Sequence, residues 1–251
     1  MTYGLLSDLH YSSKPYRLRS ALRALHQANI IMIVGDIADR GTQQQFSDVR
    51  KILSEEAPHA AIFSVCGNHD LREGNQIYKV FENDLLESLS SQYIVERSQT
   101  GAYYVQINTD TDLIGLNPLY HQKIFHFPAG GEQLAFLEAK LSAGNIARHI
   151  VLCHPPLIAH NPQRSTEMPP YLPKEQDQRL QSIVNKYGHM LFISGHTHFA
   201  PTIERDELRD VTYINDGSIN PTVAGNKGET KRGNVFQIDA DGAIHCISLK
   251  R

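Results

Sequence analysis

Short apolar runs punctuate the chain, and five of them stop at side chains able to bind a metal ion. Tyr3 to Ser7 runs into Asp8 and His10, Ile30 to Val34 into Gly35 and Asp36, and Ala60 to Cys66 into Asn68 and His69. His149 to Cys153 ends at His154, and Met190 to Ser194 at His196 and His198. Runs of this length bounded by Gly, Asn, Asp and Pro predict strands buried on both faces, as in α/β sheets covered by helices. In such sheets ligands bind beyond the carboxyl ends of the strands. Neighbouring strands lie only about 5 Å apart, so donors distant in sequence converge at that edge.

Helical spacing fills the gaps. Leu18, Leu22 and Leu25 share one face, and Phe46, Val49, Ile52 and Leu53 another, with Thr42 as the N-cap of the second helix. A third helix is expected to carry Ile77, Phe81, Leu85 and Leu89, and a fourth Leu134, Leu137 and Leu141. A fifth carries Leu180, Ile183, Val184 and Tyr187 and ends at Gly188. Alternation of strand and helix up to about residue 95 favours parallel strands joined by crossovers. Later runs at Tyr103 to Ile107, Leu113 to Leu116, Val211 to Asn215, Asn234 to Ile238 and Ile244 to Leu249 are strand-like with turns between, and Asp241-Gly242 marks a hairpin. Strands of both kinds predict an α/β fold of two packed mixed sheets with helices outside, within a single domain spanning residues 1–251. Residues 155–174, with six prolines, leave directly from His154 and read as a lid or wall over the site.

Composition narrows the classes. The chain has 251 residues, 41% hydrophobic and 20% charged, which is ordinary globular usage. A net charge of -3 offers no broad basic field and argues against a nucleic-acid partner. Asp8 and His10 interrupt the N-terminus before any signal-type apolar stretch forms, and no run is long enough to cross a membrane. Three cysteines without a C-x-x-C pair suit a reducing compartment. A cytoplasmic location is therefore expected.

Asp8, His10, Asp36, Asn68, His154, His196 and His198 supply oxygen and imidazole nitrogen but no thiolate, a set suited to Mn, Fe, Zn or Co. Seven donors exceed the need of one catalytic ion. Two divalent or mixed-valence ions can share a carboxylate and hold both the attacking and leaving oxygens of an in-line displacement. With two divalent ions and the two aspartates, the cluster carries about +2, which a hydroxide and a phosphodiester monoanion neutralise. A phosphomonoester dianion needs a further cation, for which Arg40 is the candidate. His69, beside Asn68, is placed to protonate a leaving oxygen, with a carboxylate such as Asp39 fixing its tautomer.

Asp8-Leu9-His10, Gly35-Asp36-Ile37-Ala38-Asp39-Arg40-Gly41, Gly67-Asn68-His69-Asp70, Cys153-His154-Pro155-Pro156 and Gly195-His196-Thr197-His198 together resemble the five motif blocks of the calcineurin-like metallophosphoesterases. The resemblance implies a four-layer α/β/β/α sandwich with a dinuclear centre. It implies that Asp8, His10, Asp36 and His198 hold one ion and that Asp36, Asn68, His154 and His196 hold the other. His69 becomes the general acid, oriented by Asp39 or Asp70. The Asp39-Arg40-Gly41 ending is similar to protein phosphatases and dinucleotide polyphosphate hydrolases. The His-Pro-Pro block and Gly-His-x-His pair are similar to class III cyclic-nucleotide and glycerophosphodiester phosphodiesterases, many of which have His where this chain has Cys153. The favoured expectation is a metal-dependent phosphodiesterase that uses a bridging hydroxide on a small-molecule phosphoester such as a cyclic nucleotide or glycerophosphodiester. The alternatives are a phosphomonoesterase, protein phosphatase or nucleotide pyrophosphohydrolase and, from another class, a non-catalytic interaction module.

His26, His59, His149, His189 and His245 read as surface or core residues, and His121, His126 and His160 lie in loops that could border the pocket without joining the main set. Cys66 and Cys153 read as small buried thiols. Gly35, Gly67 and Gly195 each precede a donor, where close backbone approach is expected.

Overall fold

The computed structural model describes residues 1–71, 89–128, 131–143, 146–161, 171–220, 222–224 and 229–249. Strands β1 (Tyr3–Leu6), β2 (Ile30–Val34) and β3 (Ala61–Val65) lie parallel, and β15 (Asn234–Ile238) and β16 (Ile244–Ser248) extend this sheet antiparallel in the order β16-β15-β1-β2-β3. The second sheet is built from β4 (Val95–Arg97), β5 (Tyr103–Gln106), β6 (Thr111–Leu116), β9 (Arg148–Cys153), β10 (Met190–Ser194), β11 (Thr202–Asp206) and β12 (Val211–Asn215). Its order is β11-β12-β10-β9-β6-β5-β4, with β6, β9, β10 and β12 parallel.

The expected burial on both faces resolves into a period of two. In the first sheet Leu5, Ile30, Met32, Val34, Phe63 and Val65 point to the centre, where they meet Leu113, Ile150, Leu152, Ile193 and Ile214 of the second. The alternate residues Leu6, Ile31, Ile33 and Ile62 point outward onto helices α1 (Tyr16–Ala24) and α2 (Gln43–Glu56). On the far side Ile114, Leu116, Val151, Cys153 and Phe192 meet α3 (Glu132–Ser142) and α4 (Lys174–Tyr187). Three apolar seams separate four layers, the α/β/β/α sandwich expected. Each fully buried large side chain contributes about 1.5–3 kcal/mol of transfer free energy.

Local signals hold where they are strongest. Thr42 caps α2 in a reciprocal box: Gln45 N–H donates to Thr42 Oγ1 at 3.3 Å, and Thr42 N–H donates to Gln45 Oε1 at 3.4 Å. Gly188 ends α4 at φ +61. The helix expected around Ile77, Phe81 and Leu85 lies outside the described residues, as does the centre of the 155–174 loop. A hairpin that the pattern conceals joins β7 (Leu119–His121) to β8 (Ile124–His126). Its turn residues Gln122 and Lys123 both have positive φ, a conformation normally announced by Asn or Gly. The small pair β13 (Thr222–Ala224) and β14 (Glu229–Lys231) completes the strands. No helix among the described residues is long and apolar enough to cross a membrane.

Candidate metal centre

The five strands that end in donors point their carboxyl ends to one rim. There the backbone leaves the sheet abruptly. Asp8, His10, Asp36, His196 and His198 have φ of 50, 42, 48, 72 and 52, half of the non-glycine positive-φ residues described. Each such position costs on the order of 1–3 kcal/mol, so the surrounding structure must over-determine it. Main-chain bonds do so: Asp8 N–H donates to Gly35 O at 3.0 Å, His10 N–H to Asp36 O at 2.8 Å, and Gly195 N–H to His154 O at 3.0 Å. Close approach also excludes side chains. A Cβ on Gly35 would lie 2.3 Å from His154 Nδ1, and one on Gly67 2.2 Å from Asp36 Oδ1.

Three donor groups crowd the rim, His10, Asp39 and His69 at its edge and two more that share one member. Asp8, His10, Asp36 and His198 offer ligand atoms within 4.8 Å of one another, and so do Asp36, His154 and His196. Asp36 Oδ2 lies 3.5 Å from His10 Nε2 and 3.6 Å from His154 Nε2, facing both groups. Asp8 Oδ1 lies 3.0 Å from His198 Nε2, and the His10 and His198 Nε2 atoms are 2.8 Å apart. Asn68 is buried beside them.

The donors fit cations better than one another. Asn68 Oδ1, His154 Nε2 and His196 Nδ1 are buried without a hydrogen-bond partner, and Asp8 Oδ1 accepts no well-directed one. Orphaned buried polar atoms cost about 1–3 kcal/mol each, yet all four belong to residues that follow the donor strands. His154 Nδ1–H donates to Val34 O at 2.7 Å, which leaves Nε2 facing the cluster. The protonation pattern carries the same tension. Burial pushes His10 down to about 4 against the charges of Asp36 and Asp8, and burial with the charge of His154 pushes His196 to about 3. Burial also opposes charge on His154, but Asp36 outweighs it and holds that imidazole at about 9. Asp36 and Asp8 are lowered despite burial, by His154 and His198 respectively. The field that draws a proton to His154 would draw a cation in its place.

His69 stands at the edge of the cluster, its ring centroid 4.3 Å from that of His10. Its Nδ1–H donates to the Asp39 carbonyl at 2.8 Å, while the Asp39 carboxylate is 3.8 Å away. The main chain of Asp39, more than its side chain, therefore fixes the ring. Asp70 is engaged by the main chain. Its buried carboxylate accepts from the N–H groups of Ile37, Ala38 and Gly67 and ties two motif loops together. Burial and the charge of Asp36 push Asp70 up to about 7. Arg40 is 77% exposed and turned to Asp39 at 3.9 Å.

Several residues that support the rim lie outside the five motif blocks. Ser7 Oγ contacts Asp8 Oδ2 at 2.5 Å and also contacts Asp216 Oδ1. One hydroxyl proton cannot serve two carboxylates, so Asp216 supplies the second; burial and the charge of Asp8 raise its pKa well above the usual range. Ser218 and Asn220 hold the Asp8 carbonyl at 3.0 and 2.7 Å, and Asn220 also holds Leu9 O. All three follow β12, whose polar exit Asn215-Asp216-Gly217-Ser218 repeats the pattern of the five donor strands. Phe125 packs edge-on to His154 and His196, at 5.8 and 5.3 Å between centroids. His160 stacks on Tyr213 and pairs with Glu204. Cys66 and Cys153 are buried free thiols, and burial raises the pKa of Cys153.

A family model described as calcineurin-like phosphoesterase matches residues 1–200. The chain belongs to that family. It is a metal-dependent phosphoester hydrolase of the dinuclear type. No curated protein sequence matches it at a significant level. Solved structures share its fold at low identity. A protein of Thermus thermophilus is 11% identical, with a TM-score of 0.57 and 100% of each chain covered. A purple acid phosphatase from yellow lupin seeds is 13% identical at a TM-score of 0.61 over 99% of this chain and 53% of its own. The NAD nucleotidase of Haemophilus influenzae is 11% identical at 0.52, over 99% and 49%. At these identities this phosphoesterase shares architecture with them and nothing finer.

Proposed function

We propose that this phosphoesterase hydrolyses phosphodiesters of small molecules, with Asp8, His10, Asp36 and His198 holding one metal ion and Asp36, Asn68, His154 and His196 the other. The observation that carries the reading is the charge of the donor set. Only Asp8 and Asp36 are anionic among the seven donors, so two divalent ions leave about +2, the complement of a hydroxide and a diester monoanion. Arg40, the cation a monoester dianion would need, faces solvent and Asp39. When bound, the ions supply Lewis-acid charge for phosphoryl oxygens and acidify water toward neutral pH. The chain's own residues do the rest. His69 commits Nδ1–H to Asp39 O, so Nε2 is the atom that holds the proton a departing alkoxide takes. Its main-chain N–H donates to Asp36 Oδ1 at 2.7 Å, which ties the acid to the shared carboxylate. Phe125 shields His154 and His196 from water.

Monoester or pyrophosphate hydrolysis is the competing reading. Parallel assays of bis- and mono-nitrophenyl phosphate with added Mn, Fe, Zn or Co decide between them: the diester is expected to have the higher kcat/KM, and a monoester preference overturns the proposal. His69→Ala is expected to lower diester turnover by about 10²–10⁴-fold with metal content unchanged. Unaltered turnover removes His69 as the acid.

A further inference from the structure

A cleft of about 220 Å³ opens beside the rim, and one of its walls is the donor His10. Ser12, Lys14, Tyr16, Arg17 and Asn220 complete its polar lining, which includes two cations and no carboxylate among the described residues. That is a marked local excess for a chain of net charge -3. Arg17 is half-buried and held in place. Its Nη1 donates to Asn220 Oδ1 at 2.5 Å, and Asn220 Nδ2 in turn donates to the carbonyls of Asp8 and Leu9. Its guanidinium carbon lies 5.6 Å from the centre of the exposed Tyr16 ring. The guanidinium is thus fixed, through one residue, to the loop that presents Asp8 and His10, with most of its five donors uncommitted to Asn220. Lys14, exposed on the same loop, adds a mobile second charge.

We propose that this cleft is an anion subsite, which binds a second anionic group carried by the substrate on the ester arm that lies on the His10 side. Resting on the diesterase reading, it narrows the substrate class to phosphodiesters bearing an additional phosphate or carboxylate. A planar fork with a point charge beside it recognises either group. The cleft is too small for an extended polymer and suits one compact anion.

Three nitrophenyl phosphodiesters that share a leaving group and differ in the other arm test the inference: one arm uncharged, one ending in a carboxylate and one in a phosphate. The wild type is expected to show lower KM for the charged arms, the better of the two naming the anion. Arg17→Gln with Lys14→Gln is expected to raise KM for the preferred charged substrate about tenfold relative to the uncharged one, the loss of roughly one charge-assisted hydrogen bond. The advantage should fade with salt. Lys14→Gln alone, at an exposed position, should give part of the effect without disturbing Asn220. Equal KM for charged and uncharged arms in the wild type, or equal changes for all three in the variants, overturns the subsite. Failure of the wild type to cleave even the uncharged diester overturns the diesterase reading instead.

Discussion

The two halves of the donor cluster differ in how far the polypeptide has finished them. Around Asp36, His154 and His196 the chain is closed: His154 is fully buried, its ring is pinned by Val34, and Gly35 and Gly67 let the backbone press against His154 and Asp36. Around Asp8, His10 and His198 it is open. The His198 side chain is 41% exposed, and His10 and His198 lean together until their Nε2 atoms are 2.8 Å apart. A cation entering the closed half finds its donors already positioned and has only the His154 proton to displace. One entering the open half must first separate two imidazoles. Pre-organisation lowers the cost of binding, so the closed half is expected to hold its ion more tightly.

Asp36→Ala strikes both halves and is expected to have the largest effect. Metal content should fall from two ions per chain toward none, and activity by more than the roughly 10–100-fold that follows loss of an outer-shell partner. Full occupancy in that variant would show that Asp36 is not shared. The next comparison separates the halves. His198→Ala should leave one tightly held ion, whereas His154→Ala should remove the tight site and also lower the melting temperature, because it opens a cavity under Phe125. Stepwise chelation followed by metal analysis checks both, and release of the closed-half ion first contradicts the ranking.

The same contrast explains what is legible in the sequence. Strands buried on both faces leave runs that are apolar inside but for Ser64, so the donors that follow Ser7, Val34, Cys66, Cys153 and Ser194 stand out by position and type. The sandwich can be read that way, as can Asp8, His10, Asp36, His154, His196 and His198, which the rim brings together. The scaffold of the open half cannot, because it is long-range and generic in composition. Ser7 meets a carboxylate 209 residues away, and Asn220 reaches back 212 residues to the Asp8 carbonyl. Gln122-Lys123 turns a hairpin without turn residues, and it is this hairpin that delivers Phe125. Asp70 has the composition of an orienting acid, yet three backbone N–H groups claim it.

Ser7→Ala tests that hidden scaffold at intermediate size. It removes the hydroxyl between Asp8 and Asp216 and leaves Asp8 Oδ2 with the His196 N–H alone. Affinity in the open half is expected to drop about 10–100-fold while the closed-half ion stays bound. Asp216→Asn, whose amide still donates to Ser7, should stay near wild type, and Asp216→Ala should follow Ser7→Ala. Calorimetric titration with Mn²⁺ resolves the two steps, and equal weakening of both would place Ser7 in general stability instead.

The smallest effect is one of pH on the metal-free protein, and its sign differs among the donor histidines. His10 at about 4 and His196 at about 3 lie below the unfolded value of about 6.5, so the unfolded chain takes up protons first and stability rises as pH climbs toward that value. Asp70, raised to about 7 from an unfolded value near 4, partly offsets this rise. His154, held at about 9 against burial by Asp36, behaves oppositely: its contribution is complete below about 6.5 and disappears as pH rises through 9. Melting temperatures in chelator should therefore peak near about pH 6–7 and decline by about pH 9. His154→Gln should flatten the alkaline limb alone, because it deletes the group whose charge is lost there. A melting temperature that keeps rising through that range would mean that His154 is neutral beside Asp36, and that the closed half awaits its ion without a proton to displace.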